Sequence, residues 1–200
     1  LNLRANTTIN KKVDLDFKVT YTREDVKNRP ALSDHRANPA KNLMSLATTY
    51  DQKWLRDNYK DADGNYYDWN GRDVWNLNPY WVLNEMTNES GKDKFMGSAL
   101  VRYNVNEHLK IQVTGGADIN FMNFQDYAAP TSPGFEQGQL QISDFRNRMY
   151  NVEALAIYNN SYKKFDYGVT IGGNLYKVDN KTQIVTAKEM VMRDVIALQS

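Results

Sequence analysis

The feature that most constrains this chain is a long-range alternation of apolar and polar side chains. In the clearest stretch, apolar residues stand at nearly every second position from Leu109 to Phe121, and polar residues stand between them. Because successive side chains of a β-strand point to opposite faces, this period gives the strand one apolar and one polar face. Six segments of this kind begin near Leu1, Val13, Phe95, Leu109, Met149 and Phe165. The chain is therefore predicted to be all-β.

The length of these segments distinguishes two kinds of β-protein. Most hold about nine or more alternating residues, which is close to what a tilted strand needs to cross a membrane and longer than the roughly five or six usual in soluble strands. In the fifth segment, Leu155 and Ile157 alternate out of phase with the other apolar residues, so the sequence does not determine which face of this strand is apolar.

The mean hydropathy is −0.70, and no apolar run is long enough for a membrane helix. A helical membrane protein is excluded, whereas a transmembrane barrel is not.

The connections between the segments fall into two classes that alternate along the chain. Some are short and rich in turn formers, and the others are long. The short ones are residues 10–12, 106–108 and 159–163, and the long ones are 26–93, 124–148 and a third that begins near Val178. Bacterial outer-membrane barrels have short turns at one end and long extracellular loops at the other. The prediction is a transmembrane antiparallel β-barrel segment of about six strands from a larger barrel.

Residues 26–93 are predicted to be a long extracellular loop with helical structure of its own. Asn38 followed by Pro39 is a helix-start signal, and apolar residues recur at helical spacing from Leu43 to about Tyr50. The sequence is also compatible with a second short helix through Trp54.

A soluble β-sandwich, serving as a carbohydrate-binding or adhesion module, is the alternative fold. It would have to hold a loop as long as residues 26–93 inside a compact domain, which is uncommon. In a barrel the apolar strand faces point outward to lipid, whereas in a sandwich they meet across a dry core. The orientation of Val113 and Ile171 distinguishes the two folds.

Composition and motifs exclude several functions. The chain has 25 basic and 24 acidic residues, without long blocks of one sign, so it lacks the charge pattern of a nucleic-acid-binding protein. Cysteine is absent, which excludes thiolate zinc sites and a cysteine nucleophile. We find no nucleophile motif, no phosphate loop and no acid–base pair of carboxylates. The chain is predicted not to be an enzyme and to use no cofactor.

Several short motifs resemble those of a known family of membrane proteins. They are NPYWVLNE at 78–85, DKFMG at 93–97, NPA at 38–40 and FDYGVTIGG at 165–173. Together they look like the barrel of SusC/RagA-type TonB-dependent transporters.

This resemblance implies an outer-membrane barrel of about 22 strands that encloses an N-terminal plug. Such proteins import oligosaccharides or peptides with energy passed through the TonB complex, and they pair with a SusD-like surface lipoprotein. The chain opens within an alternating segment at Leu1 and without a methionine. We therefore expect residues 1–200 to be a fragment, a single segment of the barrel in contact with outer-membrane lipid, with the plug domain outside it.

Aromatic residues of the long loop are the main candidates for binding. They are Tyr66, Tyr67, Trp69, Trp75, Tyr80 and Trp81. Flat amphipathic rings can stack on a glycan or peptide, and they can also pack beneath a partner lipoprotein. The competing interpretation is that these rings hold the loop together, and the sequence leaves both interpretations open.

Charged residues on the polar strand faces are candidates for the lumen of the barrel. They are Arg4, Lys18, Arg102, Lys110 and Asp118. There they could contact a plug or a substrate, or they could simply be hydrated and paired across strands.

A cluster of carboxylates in the long loop is the one candidate for a metal. Asp61, Asp63 and Asp68 offer the hard oxygen ligands that calcium uses, but their spacing departs from the EF-hand loop, and a solvated turn is favoured. His35 and His108 are far apart and are expected to be surface or turn residues. No metal site is predicted.

Overall fold

A computed structural model describes residues 1–190 as an all-β fold with three short helices. The elements are β1 (Asn2–Ile9), β2 (Val13–Lys27), α1 (Pro39–Met44), α2 (Gln52–Asp57), α3 (Pro79–Glu85), β3 (Met86–Asn104), β4 (Leu109–Ala128), β5 (Gln139–Tyr162) and β6 (Phe165–Lys188). The strands form one antiparallel sheet in the order β1 to β6. The prediction of six consecutive antiparallel strands is confirmed. Within residues 1–190, no helix combines the length and apolar character needed to span a membrane.

The chain divides into two compact units. Unit 1 comprises Leu1–Glu24, Lys92–Met122 and Phe145–Thr182. Unit 2 comprises Asp25–Gly91, Asn123–Asp144 and the chain from Gln183 onward. The short connections lie in unit 1, whereas α1, α2, α3 and the first two long connections lie in unit 2. The third long connection, which the sequence placed near Val178, follows β6 and lies mostly outside the described residues. The two classes of connection that alternate in the sequence are thus separated between the two units.

Unit 1 is a single layer of sheet whose apolar face is exposed. Phe17, Val113 and Ile171, from three different strands, keep 45%, 40% and 72% of their surface accessible. Among residues 1–190, every fully buried hydrophobic side chain belongs to unit 2. A sandwich would bury the apolar faces against each other in a dry core. The sandwich alternative is therefore wrong for this chain.

The turn between β1 and β2 places two residues in the left-handed region. The two strands pair from Asn2 with Thr20 to Ile9 with Val13, which leaves residues 10–12 as the turn. Asn10 and Lys11 have φ angles of 49° and 57°, in the left-handed region that asparagine tolerates better than most residues. The short connection predicted at 10–12 is confirmed.

The strands extend beyond the limits that the alternation indicates. β3 begins at Met86, β5 begins at Gln139 and β6 continues to Lys188, whereas the sequence pattern placed these limits near residues 93, 149 and 178. The long connection expected at 26–93 is therefore residues 28–85. The extensions carry polar residues on both faces, so they lack the apolar period although their backbones still pair.

Asn88 illustrates how a polar segment continues the pairing of β2 with β3. The Asn88 side-chain oxygen accepts a hydrogen bond from Arg29 N, and its Nδ2 donates to Arg29 O, each at 2.9 Å. The backbone N of Asn28 donates to Asn88 O at 2.7 Å. An ion pair of 2.9 Å between Lys27 and Glu89 follows on the next residues. Backbone groups need partners whatever side chains they carry, so pairing persists where the hydrophobic pattern ends.

The three helices begin with asparagine or aspartate caps. The Asn38 side chain accepts hydrogen bonds from the first-turn N–H groups of α1, and Asp51 does the same for α2. These are the two helices considered from sequence. α3 was not expected, although Asn78 and Pro79 repeat the same start signal.

Candidate functional site

The polar face of unit 1 is organised by pairs between neighbouring strands. Arg4 lies directly opposite Lys18, and it avoids this like charge by a diagonal contact with Asp16. The Arg4 guanidinium donates from Nη2 and Nε to the two Asp16 oxygens at 2.6 and 3.2 Å. A bidentate pair of this kind fixes the side-chain direction as well as the charge.

Two further residues of the predicted lumen-facing set have partners on the adjacent strand. Arg102 donates from Nη2 and Nε to Gln112 Oε1 at 2.8 and 3.1 Å. Asp118 forms an ion pair with Lys94 at 3.2 Å. For Lys110 and Lys18, the described residues provide no comparable ion pair. Arg4, Arg102 and Asp118 thus fit the cross-paired interpretation, and contact with a plug or substrate stays a prediction for the set.

Two of the six candidate aromatic residues belong to the core of unit 2. Tyr66 and Trp81 are 3% and 0% exposed, and their rings meet edge to face with centroids 5.3 Å apart. Trp81 Nε1 donates to Ser132 Oγ at 2.9 Å, and Ser132 Oγ donates to Ala129 O at 2.6 Å. The buried rings thereby join α3 to the loop between β4 and β5. For Tyr66 and Trp81, the interpretation as loop packing agrees with their burial.

The hydroxyl of Tyr66 shows how polar groups of this core are satisfied. It accepts hydrogen bonds from Trp69 Nε1 at 2.9 Å and from Asn78 N at 3.3 Å. Burial raises the pKa of Tyr66 because the surrounding atoms displace water from the phenol, and these two donors oppose that shift. The ring is neutral and its hydroxyl is held in place, as expected for a structural tyrosine.

The other aromatic candidates reach the surface of unit 2. Tyr67 is 38% exposed and contacts Trp54 edge to face, with ring centroids 5.8 Å apart. Trp75 is 55% exposed, and the Arg36 guanidinium lies 5.1 Å from its ring centroid. Tyr80 and Trp69 are half-buried. These four residues keep accessible ring surface, and their contact with a ligand or partner remains a prediction.

The aspartates considered for calcium are used by local turns. Asp61 Oδ1 accepts hydrogen bonds from the backbone N of Asp63 at 3.0 Å and of Asn65 at 2.8 Å. Asp68 Oδ1 accepts from Arg72 N at 2.7 Å. In the part of the chain that the structure describes, no group of three or more acidic or histidine side chains is arranged to hold a metal ion. The geometry is that of solvated turns.

A cavity of about 550 Å³ opens in unit 2, at a place where the sequence analysis predicted no binding site. Its wall is built from the loop after β2, α3 and the last residues of β4, with apolar side chains that include Leu32, Val82 and Phe124. Asp126 and His35 also line it. Apolar surroundings raise the pKa of the Asp126 carboxyl, and the nearby His35 imidazole partly opposes this shift.

His35 is positioned by its own loop. Its Nδ1 accepts a hydrogen bond from Ala37 N at 3.1 Å. The expectation of a loop histidine agrees with this contact. Its proximity to Asp126 could not be inferred from sequence, because more than ninety positions separate the two residues along the chain.

Comparison with known proteins shows what this fold is similar to. No protein-family model matches the sequence, and no curated protein matches it. The structure is similar to the solved RagAB peptide transporter, with a TM-score of 0.75 and 13% sequence identity over 98% of this chain. A structure of the RagAB peptide importer in its closed-closed state gives a TM-score of 0.72, also at 13% identity. The chain spans 22% of the length of the matched chain in both cases. The fold is therefore that of a part of a RagAB transporter chain, in agreement with the resemblance found in the motifs.

Proposed function

We propose that this chain is a segment of a TonB-dependent outer-membrane transporter of the SusC/RagA type, which imports peptides or oligosaccharides. The observation that carries the proposal is the single-layer sheet of unit 1, with an exposed apolar face and a paired polar face. Water would penalise an exposed apolar face, whereas the hydrocarbon of a bilayer favours it. Its strands fit a barrel wall between lipid and lumen.

Strand length supports the same assignment. β3, β4, β5 and β6 contain 19, 20, 24 and 24 residues. A tilted strand needs only about 9–11 residues to cross the hydrocarbon, so these strands are long enough to cross and to continue into water. We assign the crossing to the portions of these strands in unit 1, where one face is apolar.

The open edges of the sheet support a larger barrel. β1 and β6 each have one neighbour in the sheet, and so each leaves an edge whose backbone groups lack strand partners within residues 1–190. Backbone groups at membrane depth must be hydrogen-bonded because no water is available there. Further strands of the same protein would pair with both edges and close the barrel.

The proposed partners follow from the same similarity. RagAB is described as a peptide transporter, and its likeness to this chain favours import over enzymatic activity. A SusD-like surface lipoprotein would cover the extracellular loops, where Tyr67, Trp75 and Tyr80 offer accessible aromatic surface. Energy would come from TonB through the plug, which lies outside this chain.

Cell fractionation of the full-length protein tests the proposal. We expect the protein in the outer membrane, and we expect unboiled samples to migrate differently from boiled samples on denaturing gels, because a closed barrel resists detergent. An outer-membrane porin from the same cells serves as the control for heat-modifiable migration. A water-soluble full-length protein with a single cooperative unfolding transition would contradict the proposal.

A further inference from the structure

The cavity of unit 2 combines an apolar wall with one carboxylate that has no hydrogen bond or ion pair among residues 1–190. Its volume of about 550 Å³ lies within the usual range of small-ligand sites, which is roughly 300–1,000 Å³. The apolar wall comes from separate elements, namely Leu32 after β2, Val82 and Leu83 of α3, and Phe124 of β4. A ligand that enters this cavity exchanges water for apolar side chains on several sides.

Asp126 is the group that gives the cavity its chemical preference. Among residues 1–190, its carboxylate forms no hydrogen bond or ion pair, and its electrostatic partner is His35. The side chain is accessible because it faces an open cavity, while the protein atoms around it are mostly apolar. A carboxylate in such surroundings is stabilised by a cation that reaches it with hydrogen-bond donors.

The other charged group of the wall does not fill this role. Arg29 lines the same cavity, but it takes part in an interaction of its own, and within residues 1–190 it forms no ion pair with Asp126. The backbone of Arg29 is held by the Asn88 side chain on the neighbouring strand. The Asp126 carboxylate is thus the charged group of the cavity wall that we expect to contact a ligand.

We propose that this cavity binds the basic side chain of a peptide, with Asp126 as the counter-ion of its ammonium or guanidinium group and with the apolar wall around its aliphatic stem. Lysine and arginine side chains combine a cationic end with an apolar stem. The inference deepens the proposed function, on which it rests, by assigning a preference for basic peptides to unit 2.

Peptide binding by the full-length protein in detergent tests the inference. The probes are two blocked tripeptides that differ only at the central residue, which is lysine in one and norleucine in the other. Isothermal titration calorimetry should give the lysine peptide a dissociation constant about tenfold lower, since a hydrogen bond to a charged group contributes this much or more. Blocking both termini removes every other charge from the probes.

Two substitutions locate the preference within unit 2. Asp126→Asn should abolish the difference between the two peptides and leave the norleucine peptide unaffected. Asp144→Asn is the matched control, because Asp144 is an exposed carboxylate of the same unit, hydrogen-bonded to Asn123, and does not line the cavity. It should retain the preference for lysine.

Equal affinity of the unaltered protein for both peptides would overturn the inference, even if the Asp126 variant failed to fold. A preference for lysine that survives Asp126→Asn would overturn it as well. Neither result bears on membrane location. The proposed function fails separately, if the full-length protein is soluble and does not migrate as a heat-modifiable barrel.

Discussion

Removing the Trp81 indole should open the core of unit 2. Trp81 is 0% exposed, contacts Tyr66 edge to face and donates a hydrogen bond to Ser132. Truncation of a buried tryptophan to alanine costs about 3–5 kcal/mol, because apolar contacts are lost and a cavity remains. Trp81→Phe keeps an aromatic ring and loses the N–H donor, so it should cost about 1–2 kcal/mol.

Hydrogen exchange of the full-length protein measures this effect locally. The amide of Ala129 donates to Glu85 O at 2.9 Å, so its protection reports the contact of α3 with the loop after β4. Since about 1.4 kcal/mol corresponds to a factor of ten, Trp81→Ala should accelerate this exchange by about two to nearly four orders of magnitude. Trp81→Phe should accelerate it by about one order of magnitude.

Trp75→Ala provides a control of the same residue type. Trp75 is 55% exposed, and its main contact is the Arg36 guanidinium 5.1 Å from the ring centroid. A cation–π contact at an exposed site contributes about 0.5–1 kcal/mol, so exchange at Ala129 should change by less than one order of magnitude. Unchanged protection in Trp81→Ala, or an equal effect of Trp75→Ala, would refute the assignment of Trp81 as the centre of this core.

Three further outcomes follow from the same geometry. Val113→Arg should destabilise the full-length barrel in lipid by about 2–4 kcal/mol, and Thr114→Arg on the opposite face should destabilise it by much less. Equal shifts in urea unfolding would contradict the assignment of Val113 to the lipid-facing side of the strand. Asn88→Ala should raise amide exchange at Arg29 severalfold, since two side-chain hydrogen bonds are lost. Unchanged exchange at Arg29 would show that the Asn88 side chain does not hold this backbone in place. Burial raises the pKa of Asp126, so the folded state binds this proton more strongly than the unfolded chain. Unit 2 should therefore lose stability as pH rises through the pKa of folded Asp126, a dependence that Asp126→Asn removes while Arg29, His35 and Tyr127, the other ionisable side chains that line the cavity, stay in place. An unchanged pH profile in that variant would contradict this prediction.

Sequence periodicity located the strands best where one face is apolar. β1, β2 and β4 begin within a residue of their expected positions, because an apolar face is visible in sequence as a period of two. The polar ends of β3, β5 and β6 lack this period, so the sequence did not predict them. Their pairing depends on backbone groups and on residues such as Asn88, whose role requires a neighbour that is distant in sequence.

The candidate aromatic residues illustrate a different limit of sequence reasoning. Tyr66 and Tyr67 are adjacent and chemically identical, yet one is 3% exposed and the other 38%. Outside regular structure, no period assigns such neighbours to a buried or an exposed side. Composition marked the cluster as important, and packing against α3 and the loop after β4 separated its structural members from its accessible ones.

The sequence by itself determined that this chain forms long antiparallel strands with one apolar and one polar face, joined alternately by short turns and long loops. Those properties follow from local backbone geometry and side-chain polarity, which are encoded residue by residue. Only the tertiary structure decided that the apolar face of unit 1 is exposed, that Trp81 is buried, and that Asp126 shares a cavity with His35. Each of these depends on contacts between residues far apart in the chain, and such contacts leave no period in the sequence.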